Sequence, residues 1–390
     1  MKNIAIVTNQ MVMGGIEKSL IELINKLLTC DCKITLFLSK SGGDLYNQIP
    51  KNVEIKQLFE NNQTYYQIFN YNRKNKGLLK GIQCLFKAII NRFDKNTFRI
   101  WTRSLSYSII NHGYYDIAIA YGSPVSLSAT CVAAMKNADL KYIWIHNEID
   151  RLGFEIHYLH HYYDEFNKIF CVSKKCRDIF LEKLPEYKKK TYVFYNIINK
   201  NEILDLANTG ESYNDSYSGI RLLTVGRICD QKGQDIIPYV IKKLIESNVR
   251  VKWYCIGEGK EFTKKVINIA NELGVSEYLS FLGNKDNPYP YFKDCDIYIQ
   301  PSRHEGFGIT ISEAKIFAKP IVLTNFAGSD EQIDNGINGI ITLFDVDQLY
   351  EQILSLILNN DIRFKLGKAA LESTEFFESD MEMIIGEGKA

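Results

Sequence analysis

Short apolar runs alternate with longer amphipathic ones along most of the chain. The runs at 4–8, 33–38, 116–121, 142–146, 168–172 and 191–195 are nearly continuous in apolar residues. Such runs predict parallel strands covered by helices on both faces, since a half-exposed strand would alternate. Helical spacing falls between them, as over 16–28. The second half repeats the design with runs at 221–225, 251–256, 279–282, 296–300, 320–324 and 339–342. The predicted class is α/β, with two doubly wound Rossmann-like domains. A polar stretch rich in Ser, Asn and Gly at 208–219 separates the halves, and the junction is placed a little before it, near Asn199. The domains are expected over 1–198 and 199–372, with a terminal helix in 373–390 packing back on the first. Open parallel sheets bind ligands outside the carboxyl ends of their strands, so chemistry is expected there.

At 390 residues the chain exceeds what one core usually serves, which agrees with two domains. A hydrophobic content of 46% excludes a disordered chain. No run of 18 apolar residues occurs and the first residues enter a strand directly, so a cytoplasmic protein, at most peripheral on a membrane, is expected. The 9 cysteines are scattered without metal-ligand spacing, which reads as reduced thiols.

The net charge of +1 hides an asymmetry. Residues 1–200 hold 28 Lys+Arg against 17 Asp+Glu, net +11; the remainder hold 19 against 29, net −10. Between 73 and 103, nine basic residues face one acid, Asp94, and apolar residues over 78–93 recur at helical spacing. Two readings stay open for this segment: an interfacial helix on an anionic membrane surface, or a core-facing helix with a solvated basic side. No nucleic-acid motif accompanies the charge, and nucleic acid is not expected as a partner.

The most informative stretch runs from Pro301 to Val322 (PSRHEGFGITISEAKIFAKPIV). A strand pattern leads into it, Glu305 to Gly308 form a flexible bend, and a helix follows that must end before Pro320. The free N–H groups and positive end of that helix suit a diphosphate, while Glu305 and Glu313 can each accept hydroxyl protons. At a rise of ~1.5 Å per helical residue the two carboxylates should lie on the order of 10 Å apart, close to the span from a sugar across a diphosphate to a ribose.

The whole string resembles the donor-binding signature of retaining glycosyltransferases of family 4, in Glu305, Gly306, Phe307, Gly308, Glu313, Ala314, Lys319, Pro320, Ile321 and Val322. Val225 to Gln234 (VGRICDQKGQ) resembles that family's Gly-Arg-Leu and Lys-Gly element in Gly226, Arg227, Lys232 and Gly233. Arg227 and Lys232 are the cations that a departing nucleoside diphosphate requires. The glycine pair Gly14 and Gly15 opens a helix after the first strand and resembles the family's glycine loop, and His146 matches its strand-end histidine. Ile256 to Glu261 looks like its Gly-Asp/Glu-Gly turn, and Gly283 with Asn284 like the segment whose backbone holds the nucleobase.

The resemblance implies a GT-B architecture, two Rossmann-like domains facing a central cleft. It also implies transfer of a hexose from a nucleotide-sugar donor, expected to be UDP-linked, to a glycan or polyprenyl-linked acceptor, as in polysaccharide synthesis. Glu305 and His146 would contact the sugar, Glu313 the ribose diol, Arg227 and Lys232 the diphosphate, and backbone N–H groups of Phe307, Gly308 and Ile309 the sugar and phosphate. No cofactor or metal is expected. Asp294 and Asp296 read as strand entry, and Asp345 and Asp347 as a helix cap rather than a metal clamp. His304 could be a sugar contact or a bystander, and His157, His160 and His161 a surface or packing cluster more readily than a metal site. A nucleotide-sugar 2-epimerase of the same architecture and a non-catalytic partner subunit stay open as alternatives.

Overall fold

The apolar runs form strands whose successive side chains enter different cores. The computed structural model describes residues 1–58, 113–122, 126–146, 163–376 and 380–386. The basic segment 73–103 and the histidines His157, His160 and His161 lie outside them. In the first domain, β1 (Lys2–Thr8), β2 (Cys32–Leu38), β3 (Glu54–Gln57), β4 (Tyr115–Ala120), β5 (Ala138–Ile145), β6 (Lys168–Cys171) and β7 (Thr191–Val193) form a sheet in the order β3-β2-β1-β4-β5-β6-β7. In the second, β8 (Ile220–Val225), β9 (Val251–Ile256), β10 (Leu279–Phe281), β11 (Ile297–Gln300), β12 (Ile321–Thr324) and β13 (Ile340–Thr342) are ordered β10-β9-β8-β11-β12-β13. Pairings in both sheets are parallel.

The two-residue strand period explains why these strands read as continuous apolar runs. Ile4 and Ile6 of β1 join a core under the helix Gly15–Thr29, while Ala5 and Val7 join one under the helices Leu127–Ala134 and Lys174–Lys183. In β9, Tyr254 and Ile256 face one core and Trp253 and Cys255 the other. Each fully buried Ile, Leu or Phe contributes about 1.5–3 kcal/mol, so neither face tolerates a polar position without a partner. β3 is the strand that the pattern did not announce. It pairs with β2 alone and carries Glu54, Lys56 and Gln57 in four residues, because an edge strand has little face to bury.

In each sheet the strand order reverses between its first strand and its fourth, β1 beside β4 and β8 beside β11. Loops leaving neighbouring strands diverge at such a point and open a crevice. The two crevices face each other, and several contacts hold them there. Phe307 of the second domain is 4% exposed and packs into the first domain's core, its ring 5.6 Å from that of Tyr195. Ser173 caps the helix Lys174–Lys183 by accepting from the Cys176 N–H, and its hydroxyl donates to the Gly306 carbonyl at 3.1 Å. Glu331, from the second domain, accepts from the N–H groups of Lys174 (2.8 Å) and Lys175 (2.5 Å) in the same helix and from the Tyr195 hydroxyl. A carboxylate at a helix N-terminus is favoured by both free N–H groups and the dipole.

The segment 380–386 lies on the first domain. Ile384 is buried in its core, and Lys2 and Lys168 donate to the carbonyls of Ile385 and Met383. Asn199 caps the helix Lys200–Ala207, which contributes Ile203 and Ala207 to the second domain's core. Among the described residues no helix is long and apolar enough to cross a membrane, and the described cysteines are free thiols.

Glu331→Ala should strip the cross-domain cap, lowering stability by about 1 kcal/mol and loosening the closed arrangement. The paired measurements are urea denaturation and small-angle scattering, and an unchanged radius of gyration would count against Glu331 as a tie between domains.

Candidate active site

The loops leaving β1, β8 and β11 and the end of β5 meet in one cavity of about 200 Å³ between the domains. From the first domain come Gly14, Gly15, Lys18, His146 and Asn196; from the second come Gly226, Arg227, Lys232, Asn284, Glu305, Phe307, Gly308, Ile309 and Glu313. Gly283, which the sequence placed beside the nucleobase, is absent from this lining. It stands behind the wall at φ 70°, where its carbonyl accepts from the N–H of Gly257, which does line the cavity. His304 is also absent; its carbonyl accepts from Gln231. A second cavity of about 490 Å³ adjoins, sharing Lys18, Ile309 and Glu313.

Contacts within the second domain lock the β8 and β11 loops together. Gly233 sits at φ 70° against the β11 loop, where a Cβ would stand 1.9 Å from the Pro301 carbonyl oxygen, so no other residue fits. Arg303 makes two bonds to Asp235 at 2.8 and 3.0 Å and lies over the Phe344 ring. Gln234, fully buried, donates to the Arg227 carbonyl. Among the described residues this frame leaves the Arg227 guanidinium one side-chain hydrogen bond, to Gln231 at 3.4 Å.

Lys232 and Glu305, assigned from sequence to different parts of a ligand, are bonded to each other. Lys232 Nζ lies 2.6 Å from Glu305 Oε1, and both side chains are largely buried. The same oxygen accepts from Gln300 Nε2 (2.9 Å) and Ser302 Oγ (2.6 Å). Sequence reasoning missed Gln300 and Ser302 as partners. The available signal was a glutamine ending an otherwise apolar strand, where a polar side chain needs a polar neighbour.

Glu313 lies in the helix Ile309–Ile316, whose N-cap Gly308 (φ 81°) provides no side-chain cap, so its first N–H groups are left for a ligand. Gln332, another residue that sequence reasoning missed, donates to the carbonyls of Phe307 and Gly308. The Phe307 side chain is committed to the domain contact, which leaves its backbone for the cavity. Glu313 is 2% exposed; its Oε1 accepts from the Tyr289 hydroxyl at 3.1 Å and lies 3.9 Å from Lys18 Nζ. Its Oε2 has no partner.

That orphan has company. Five buried side-chain polar atoms among the described residues lack a hydrogen-bond partner, and three of them line this cavity: His146 Nε2, Asn196 Oδ1 and Glu313 Oε2. Buried polar groups are nearly always paired in folded proteins, so this concentration marks a place shaped for a hydrogen-bonding ligand. The orphans come from both domains, so such a ligand bridges them.

Burial alone lowers the His146 pKa from 6.5 to about 3, so its imidazole is neutral at ordinary pH. Its ring lies 4.5 Å from that of Tyr121, whose hydroxyl pairs with Ser19. Glu17, in the first turn of the helix Gly15–Thr29, is held above the usual carboxylate range by burial, with its own backbone N–H and the Arg227 guanidinium acting the other way. Away from the cavity, Asp345 accepts from the Gln348 N–H and caps the helix Val346–Leu358, and Asp296 accepts from the Arg221 N–H.

Residues 216–373 match the family model of glycosyl transferases group 1. Over 214 residues the chain is 34% identical to an uncharacterized glycosyltransferase of Methanocaldococcus jannaschii, covering 54% of this chain and 55% of that protein. It is 28% identical over 162 residues to the O-antigen biosynthesis glycosyltransferase WclY of Escherichia coli, covering 41% and 44%. The chain thus spans about half the length of the curated relatives it matches. The structure of Anabaena HepE in complex with UDP-glucose superposes with a TM-score of 0.69 over 96% of this chain and 95% of that one, at 16% identity. The likeness establishes the GT-B fold, two parallel-sheet Rossmann-like domains.

The sign of the His146 shift gives a pH test. An unfolded chain takes up a proton at His146 as pH falls below 6.5, but the folded chain resists until about 3, so stability is lost across that window. His146→Gln should therefore lose less stability than wild type between pH 7 and pH 5, read by urea denaturation at both; equal losses would show that His146 is not held neutral.

Proposed function

We propose that this chain is a retaining glycosyltransferase of family 4, moving a hexose from a nucleotide-diphosphate sugar to a glycan acceptor. The observation that carries the reading is the set of three orphaned atoms, His146 Nε2, Asn196 Oδ1 and Glu313 Oε2, on opposite walls of a cavity that also holds Arg227 and Lys232. A sugar nucleotide has hydroxyls for the orphans and a diphosphate for the cations. HepE binds UDP-glucose on the same fold, which supports a UDP-linked donor. WclY acts in O-antigen biosynthesis, which supports a surface-polysaccharide acceptor, lipid-linked in this reading. The basic stretch 73–103 would draw the enzyme to an anionic membrane surface.

In this reading Glu313 takes the ribose diol, as its unpartnered Oε2 requires an O–H donor. Arg227 and Lys232 hold the diphosphate, and the backbone N–H groups of Phe307, Gly308 and Ile309, the last at the uncapped start of its helix, hold sugar and phosphate. Glu305 and the neutral His146 contact the sugar hydroxyls. Chemistry then needs little from the protein beyond position and field. The acceptor oxygen forms its bond to the anomeric carbon as the bond to the diphosphate oxygen breaks, on the same face, and the acceptor proton passes to the departing phosphate. Charge builds on the diphosphate in that step, where Arg227 and Lys232 line the cavity to meet it. No metal is called on. Because Lys232 is bonded to Glu305, a diphosphate has to share or displace that contact.

A thermal-shift panel of nucleotide sugars should single out the donor, since ligand at 100 times its dissociation constant stabilises by about 2.7 kcal/mol. Arg227→Ala or Lys232→Ala should lower turnover by ~100-fold or more. Full activity in either variant would refute the assignment, and the absence of binding to any nucleotide sugar would refute the reading.

A further inference from the structure

We infer that Gln300, the last residue of β11, is a positioning residue that fixes the Glu305 carboxylate, saturating one oxygen and presenting the other to the donor sugar. The inference rests on the reading of Glu305 as a sugar contact. Gln300 is fully buried at the end of a strand whose other residues are Ile297, Tyr298 and Ile299. A carboxamide there is costly unless its donors and acceptor are all used, and they are. Its Oε1 accepts from the Tyr298 hydroxyl and from Thr310 Oγ1 at 3.2 Å. Its Nε2 donates to Ser302 Oγ at 2.7 Å and to Glu305 Oε1 at 2.9 Å. The carboxylate decides which way the amide faces, because a carboxylate only accepts and the atom beside it must carry hydrogens.

Three donors thus converge on Glu305 Oε1, while Oε2 takes none of these bonds. The three are not equivalent. Lys232 sits on a flexible stem, and an incoming diphosphate competes for it; Gln300 is held by two hydroxyls from its own strand and from the helix Ile309–Ile316. When Lys232 is drawn toward the diphosphate, Gln300 and Ser302 keep Oε1 in place. The carboxylate then keeps its orientation at the moment when the sugar needs it.

Two near-isosteric variants separate this role from a merely structural one. Gln300→Met removes all four bonds. Gln300→Glu still accepts from Tyr298 and Thr310 but offers no N–H to Glu305. Both should keep the affinity for the nucleoside diphosphate alone within about twofold, by calorimetry, while kcat/KM for the sugar nucleotide falls on the order of tenfold or more. Gln300→Glu should recover part of its activity as pH is lowered, because the introduced carboxyl, once protonated, donates where Nε2 did; Gln300→Met should not. Wild-type sugar kinetics in folded variants, or equal loss of affinity for diphosphate and sugar nucleotide, would overturn the inference. If Gln300→Met does not fold, Gln300→Glu carries the test alone. If wild type binds no nucleotide sugar, the proposed function fails and the positioning claim is read directly. In crystal structures of Gln300→Glu and Gln300→Met the Glu305 carboxylate should leave the orientation that Gln300 and Ser302 give it in wild type. An unmoved carboxylate would end the claim.

Discussion

Burying a carboxylate is unfavourable unless donors replace the water it gives up, and at Glu305 three donors do so on a single oxygen. The donors come from the β8 loop, the end of β11 and the β11 loop, so satisfying one charge sets the relative position of three pieces of the second domain. Arg303 with Asp235, and Gly233 against Pro301, fix the same two loops from the other side. Without that frame the cations and carboxylates of the cleft would sit on independently moving loops, and the electrostatic stabilisation proposed for them depends on their being fixed beforehand.

The same stretch of chain also joins the domains. Gly306 accepts from Ser173, Phe307 buries its ring in the first domain, and Glu331 caps a first-domain helix. Gly306 and Phe307, which make the domain contact, are one and two residues from Glu305, so the loop that would touch the sugar also joins the domains. The orphaned polar atoms on both walls show the complementary side: the protein closes around a space that its own groups do not satisfy. A ligand that fills it contributes hydrogen bonds to both domains at once.

The role of the carboxylates differs from what a bracketed pair of glutamates first brings to mind. Glu313 has an unpartnered oxygen held beside a tyrosine and a lysine, suited to accepting from a diol. Glu305 is already occupied on one side, suited to holding a fixed direction rather than to taking up and releasing a proton. The neutral His146 on the opposite wall likewise fits hydrogen bonding better than charge.

The sequence by itself determined the α/β class and twelve of the thirteen strands among the described residues, because each of those follows from neighbours along the chain, and its motifs singled out about half of the residues that line the cavity. Strand burial repeats every two residues, helix burial every 3.6, and a glycine or proline marks where one gives way to the other. β3 escaped because an edge strand buries too little to leave a pattern. Tertiary structure alone decided the pairing of Lys232 with Glu305, 73 residues apart, the docking of Phe307 on the other domain, the commitment of Gln300 and the three orphaned atoms. Those depend on which strands the parallel sheets set side by side and on how the two sheets face each other, and no local period along the chain records either.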